Sequence, residues 1–236
     1  MAELVTGVPD VVLAVYAHPD DADVGCGGTL ARWAGEGATV HLVVCTDGGR
    51  GTADPSVDPA ALAEQRAAEL AEAAGHVGIT SVEVLGVTDG EVGADGGVKE
   101  TVVARIRAHR PDAVFGHDPT AVFFGQDYFN HADHRAAGWI LLDAVAPAAA
   151  LPHYYPEAGP PHQVTTAYLS GTLEPDVWVD VTVSVGAKAR AVECHRSQLS
   201  GDVAWAADAV RRRAEEEGRR VGVPFAEGFR RLRLGG

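Results

Sequence analysis

The run Val11-Val12-Leu13-Ala14-Val15-Tyr16-Ala17 constrains this chain more than any other segment. Its apolar residues are continuous rather than alternating, so a strand built from it is apolar on both faces and needs cover on both. It is too short to span a membrane or to form the hydrophobic region of a secretion signal, and no basic residue precedes it. Residues 39–45, 81–85 and 113–116 read as further strands. The intervening segments 25–37, 60–74 and 98–109 read as helices, the second opened by Pro59 and closed by Gly75. Such alternation predicts an α/β fold: a Rossmann-like, doubly wound, mostly parallel sheet with helices on both faces. Downstream, 131–144, 184–199 and 202–220 read as helices, and 165–169 and 177–182 as strands. The Pro- and aromatic-rich stretch 147–161 reads as a loop that could shape a pocket. No repeat or linker interrupts the pattern, so residues 1–236 are expected to form a single domain.

Charge narrows the partners. With 19 basic against 33 acidic residues, the formal net charge is -14. That field repels nucleic acid and anionic membranes, and points to a small-molecule substrate instead. The basic run Arg211-Arg212-Arg213 is followed by Glu215, Glu216 and Glu217 and reads as a solvated helix face. Three cysteines without a C-x-x-C pair fit a reducing, cytoplasmic setting. Homo-oligomerisation is left open.

In a doubly wound sheet, ligands bind beyond the carboxyl ends of the strands. Here polar residues collect at those ends: His18-Pro19-Asp20-Asp21, Thr46-Asp47-Gly48-Gly49, Thr88-Asp89-Gly90 and His117-Asp118. Two carboxylates beside an imidazole are costly to leave unpaired near a core, and a divalent cation is the simplest neutraliser. Far downstream, His131 and His134 stand three apart at a predicted helix start and point into roughly one space. His18, Asp21 and His134 form the expected ligand set, leaving one position open for water. Imidazole and carboxylate without thiolate suit Zn²⁺, with Fe²⁺ or Mn²⁺ also compatible. A capping role for either aspartate or for a histidine at a helix start is the plainer alternative.

The string Ala17-His18-Pro19-Asp20-Asp21, then Gly25-Cys26-Gly27-Gly28-Thr29-Leu30, with His131-x-Asp133-His134 downstream, resembles the signature of the LmbE-like (PIG-L) N-acetylglucosaminyl deacetylases. Fainter matches are Thr46-x-Gly48-x-x-Gly51, Arg66-x-x-Glu69, Asp89-Gly90 and His195-x-Ser197-Gln198, so the likeness spans residues 11–198. The resemblance implies a Rossmann-like fold, one zinc at the strand ends, and hydrolysis of an acetamide on an N-acetylglucosamine-type sugar, glycoconjugate or related secondary metabolite. It implies His18, Asp21 and His134 as metal ligands and Asp20 as general base. His131, oriented by Asp133, would assist the tetrahedral intermediate and its collapse, and Arg66 and Asp89 would touch substrate. Residue by residue, the plainer reading of Arg66 and Glu69 is a surface ion pair one helical turn apart, and His195 divides between the pocket and helix packing. Gly49, Ala132 and Phe129 depart from the family pattern, which often has Glu, Pro and Tyr there.

Three rivals stand beside this reading. One is a zinc amidase acting on a larger N-acyl or thiol-conjugate substrate. A second is a nucleotide-binding module, although no G-x-G-x-x-G or P-loop motif follows the first long strand. The third is a metal-binding protein without catalysis, for which Asp20 beside the ligands would be superfluous.

Overall fold

The first long strand, β2 (Val11–Tyr16), lies inside an eight-stranded sheet and is hydrogen-bonded on both edges. The computed structural model describes residues 3–93, 97–199 and 203–234. Val12, Ala14 and Tyr16 enter one apolar cluster, and Leu13, Val15 and Ala17 enter the other. This period-two split is what a two-faced apolar run requires. Parallel to β2 run β3 (Thr39–Thr46) and β4 (Ser81–Val87) on one side, β5 (Ala113–His117) and β8 (Thr166–Ser170) on the other. The spatial order β4-β3-β2-β5-β8 places the topological switch between β2 and β5.

Helices α1 (Asp21–Gly35), α2 (Pro59–Val77), α5 (Val185–Cys194) and α6 (Val203–Val221) lie together on one face; α3 (Gly97–His109) and α4 (Ala132–Asp143) cover the other. None of the described helices is long and apolar enough to cross a membrane.

The remaining strands are additions to that frame. A short hairpin joins β6 (Phe123–Phe124) to β7 (Tyr128–Phe129). Beyond β8 come β10 (Ala226–Arg233), which is antiparallel to it, then β9 (Val177–Asp180) and β1 (Glu3–Leu4). β10 was not expected, since it shows no apolar alternation: adjacent Ala226 and Glu227 are both buried, the next buried apolar residue is Phe229, and Arg230 and Arg231 pair with Glu174 and Glu3.

Three helix boundaries differ from expectation. The helix expected over 184–199 ends at Cys194, and a separate short turn, Arg196–Gln198, follows it. Helix α2 continues through Gly75 to Val77 and closes at Gly78, whose φ of 81° supplies the left-handed cap. Buried Leu70, Ala73, Ala74 and Val77 keep the apolar stripe running past Gly75, so packing overrides the local weakness of glycine. Helix α1 begins at Asp21 rather than at Gly25, and its glycines sit inside it for reasons of approach. A Cβ on Gly28 would stand 3.0 Å from both Glu227 Oε1 and Val181 Cβ. Glu227, on β10, accepts from the Gly28 and Thr29 backbone N–H groups at 3.0 and 2.7 Å and from Thr29 Oγ1 at 2.6 Å. Buried Lys188 of α5 pairs with that carboxylate and donates to Val24 O at 2.8 Å. Asp202, the expected first residue of the last helix, lies outside the described residues.

The 147–161 segment, which could have shaped the pocket, contributes no residue to the cavity beside the strand ends. It wraps the guanidinium of Arg107, a buried residue of α3 that donates to the carbonyls of Ala148, Ala149, Leu151, Tyr154, Tyr155 and Gly159 at 2.7–3.2 Å. Short helical turns at Ala144–Ala149 and Pro156–Ala158 bring those carbonyls round the cation. Replacing Arg107 by Met keeps the apolar stem and orphans buried carbonyls. The expected loss is about 3 kcal/mol of unfolding free energy by urea denaturation, with new protease cleavage confined to residues 147–161.

Candidate metal centre

Two helix N-termini meet at the switch point. Chain leaving β2 passes through His18 and Pro19 into the first turn of α1, and His131 caps α4 by accepting from Asp133 N at 3.2 Å. Both partial positive ends favour the carboxylates gathered there. His18 Nδ1 lies 3.2 Å from Asp21 Oδ2 and 3.1 Å from His134 Nε2, which is itself 3.1 Å from Asp21 Oδ1. The structure therefore brings His18, Asp21 and His134 into one donor triangle.

That triangle fits a cation. Tetrahedral zinc with bonds of about 2.0–2.2 Å needs donor–donor edges of about 3.4 Å, close to the separations present. The outer nitrogen of each imidazole is engaged, which turns the inner lone pair inward. His18 Nε2 faces Asp89 Oδ1 at 3.2 Å and Asp133 Oδ2 at 3.4 Å, and His134 Nδ1 faces Asn130 Oδ1 at 3.1 Å. Carboxylate or amide support behind a ligating imidazole is the usual arrangement at metal sites. Charge tells the same story. Burial works against a charged His18, yet hydrogen bonds and field from Asp21 and Asp89 outweigh it and raise its pKa to about 10. A proton thus neutralises the metal-free site where a cation would.

Asp20 lies outside the triangle. Its Oδ1 accepts from Arg66 Nη2 at 2.9 Å, and its side chain is 28% exposed, so one edge of the carboxylate is tethered while solvent reaches the group. Arg66 also donates to Gly48 O at 2.9 Å, while its buried Nε has no partner. The Arg66–Glu69 surface pair is not made; both residues are buried, and Glu69 accepts from Ser197 N and Oγ at 3.0 and 2.6 Å. Asp89 is buried behind His18. Asp133 reaches His131 through its backbone N–H, whereas its carboxylate accepts from Gly90 N and Val92 N at 2.7 and 3.1 Å. With Nδ1 of His131 accepting, its hydrogen resides on Nε2. The His131 ring is exposed and stands 4.8 Å from that of His18. His195 binds Asp23 Oδ2 at 2.8 Å in the helix layer and does not line the cavity.

His117, one of the polar strand-end residues expected beside the site, does stand there, though with no role foreseen for it. Asn130 was not anticipated; it is one helical turn before His134, a signal available in principle. A second cluster, Glu72, His76 and Cys194, has its donors engaged: Arg196 holds the Glu72 carboxylate at 2.9 and 3.0 Å, and Cys194 Sγ donates to Arg190 O. Beside the triangle opens a cavity of about 580 Å³, lined near the site by Asp21, His117, Asn130 and His134 and farther out by Phe124, Tyr128 and Val210. Tyr128 thus faces the cavity, while Phe129 is exposed and packs under the Arg135 guanidinium at 4.5 Å.

Residues 13–145 match the PIG-L family model, described as GlcNAc-PI de-N-acetylase. This chain belongs to the LmbE-like (PIG-L) family. A relative in Thermococcus kodakarensis, named diacetylchitobiose deacetylase, is 33% identical over 93% of this chain and 82% of its own length. A Saccharopolyspora erythraea relative, named 1D-myo-inositol 2-acetamido-2-deoxy-alpha-D-glucopyranoside deacetylase 2, is 37% identical over 66% of this chain and 63% of its own. The solved structure of N,N'-diacetylchitobiose deacetylase from Pyrococcus horikoshii superposes with a TM-score of 0.85 at 31% identity, covering 95% of this chain and 84% of that one. For this family member, elemental analysis of purified protein should find about one divalent ion per chain. His134→Ala should lose it, and Asp89→Asn should keep it with about tenfold weaker affinity in chelator competition.

Proposed function

We propose that this chain is a zinc-dependent N-deacetylase that releases acetate from an N-acetylglucosamine-type sugar, glycoconjugate or related secondary metabolite. The observation that carries the proposal is the placing of Asp20: a carboxylate next to the donor triangle, excluded from it, tethered by Arg66 and open to solvent on its other edge. A storage site has no use for such a group. A hydrolytic site needs one.

When bound, zinc would polarise the acetamide carbonyl and lower the pKa of a bound water towards about 7. The residues supply the rest. Asp20 takes the water proton, and the Arg66 hydrogen bond keeps its carboxylate aimed. His131, with its hydrogen on Nε2, donates to the oxygen on which negative charge develops. The amine leaves after receiving a proton, and Asp20 carries the one just removed. Asp133 pins the start of α4 to the Gly90–Val92 turn, holding His131 and His134 in place. Arg66 and Asp89, which the resemblance assigns to the substrate, are both buried, Asp89 behind His18 and Arg66 against Asp20, so each acts through that neighbour.

The cavity supports a second reading on the same scaffold. At about 580 Å³ it exceeds what an acetyl group needs, and Val24, Phe124, Tyr128 and Val210 give it an apolar wall suited to a larger N-acyl group or an aglycone. A substrate panel separates these readings. Acetate release from N-acetylglucosamine, N,N'-diacetylchitobiose and an N-acetylglucosaminyl-inositol should exceed release of longer acids from N-acyl analogues; the reverse order favours the second reading.

Asp20→Asn should retain its metal while kcat falls about 10²–10⁴-fold, and a variant that loses metal would make Asp20 a ligand instead. His131→Ala should also lower kcat with metal retained, by about 10²-fold; an unchanged kcat removes His131 from the chemistry.

A further inference from the structure

We propose that His117 is a positioning residue that holds Asp21 as a one-oxygen ligand, and so fits the site to a small, four-coordinate cation. The inference rests on the metal reading of the triangle and goes beyond it, because His117 belongs to neither the ligand set nor the proposed catalytic groups.

His117 ends β5, directly across the topological switch from β2, and is buried. Its ring is fixed on two sides. Tyr16 meets it edge-on with centroids 4.8 Å apart, and the His134 ring stacks on it at 4.1 Å with planes inclined by 9°. That packing aims Nε2 at Asp21 Oδ2, 3.1 Å away. His117 therefore touches two of the three donors, one by a hydrogen bond and the other by stacking.

The carboxylate's own partners give this contact its meaning. Asp21 Oδ2 lies 3.2 Å from His18 Nδ1, but it also accepts from His18 N at 2.6 Å and faces His117 Nε2 at 3.1 Å; Oδ1 is 3.1 Å from His134 Nε2. Two N–H groups occupy the lone pairs of Oδ2, so Oδ1 is the oxygen with lone pairs to offer a cation. A carboxylate so held is monodentate, which suits tetrahedral Zn²⁺; a carboxylate free to chelate suits larger coordination numbers. Nε2 has one competing neighbour, the Ala17 backbone N–H at 3.4 Å. The carboxylate contact is shorter and charge-assisted, and a carboxylate can only accept, so the hydrogen must sit on Nε2.

The test reads metal binding rather than turnover. His117→Phe keeps the ring and removes the donor, and His117→Gln returns an amide N–H near the Nε2 position. In competition with a chromogenic chelator, His117→Phe should bind Zn²⁺ about 10–100-fold more weakly than wild type. His117→Gln should recover most of that loss. Substituting Co²⁺ should give the intense visible absorption of four-coordination in wild type and His117→Gln, and a weaker band in His117→Phe. Long-range ¹H–¹⁵N correlation on the zinc-loaded wild type should place the His117 hydrogen on Nε2. Unchanged zinc affinity in a folded His117→Phe, or a hydrogen found on Nδ1, overturns the proposal even where the variant fails to fold. A wild-type protein that takes up no zinc would instead overturn the metal reading on which it rests.

Discussion

The carboxylate of Asp21 is the constraint around which this molecule is arranged. A buried anion among three imidazoles is tolerable only if every lone pair finds a partner. The partners come from three places: His18 beyond β2, by backbone and ring, His117 at the end of β5, and His134 in the first turn of α4. These stretches are distant in sequence and meet because the sheet is doubly wound, with its crossover direction changing between β2 and β5.

Geometry behind the donors matters as much as the donors. Each imidazole in the triangle has its outer nitrogen turned to an oxygen acceptor: Asp89 and Asp133 behind His18, Asn130 behind His134. Asp133 also ties α4 to the turn after β4, so a single side chain couples the metal-facing rings to two elements. Asp20 is half-buried and His131 exposed, so solvent reaches both of these groups beside the triangle.

What the sequence disclosed follows from how local each signal is. The strand 11–17 and the cluster His18-Asp20-Asp21 are written in consecutive residues, so continuous apolarity and adjacent charge announce them. The His131–His134 pair obeys helical spacing and is equally plain. Asn130 carries meaning only through what the fold places beside it, and for His117 the strand-end position gave its neighbourhood but not its contact with Asp21. The antiparallel β10 carries no period-two apolar pattern, because its buried positions include the charged Glu227 and its arginines pair with carboxylates. Gly75 misled for the opposite reason: a strong local stop signal was overruled by the buried stripe that continues to Val77.

The clasp on the middle of α1 has a bearing on how such a molecule comes into being. Val24 O and Gly28 N, partners along a regular helix, are also gripped by Lys188 and Glu227 from the last quarter of the chain. The helix whose opening turn carries Asp21 is therefore seated by residues 164 and 199 positions further along the chain than the atoms they grip. A nascent chain that has not yet emerged as far as Glu227 lacks that clasp, so the seat of Asp21 depends on a strand synthesised long after it.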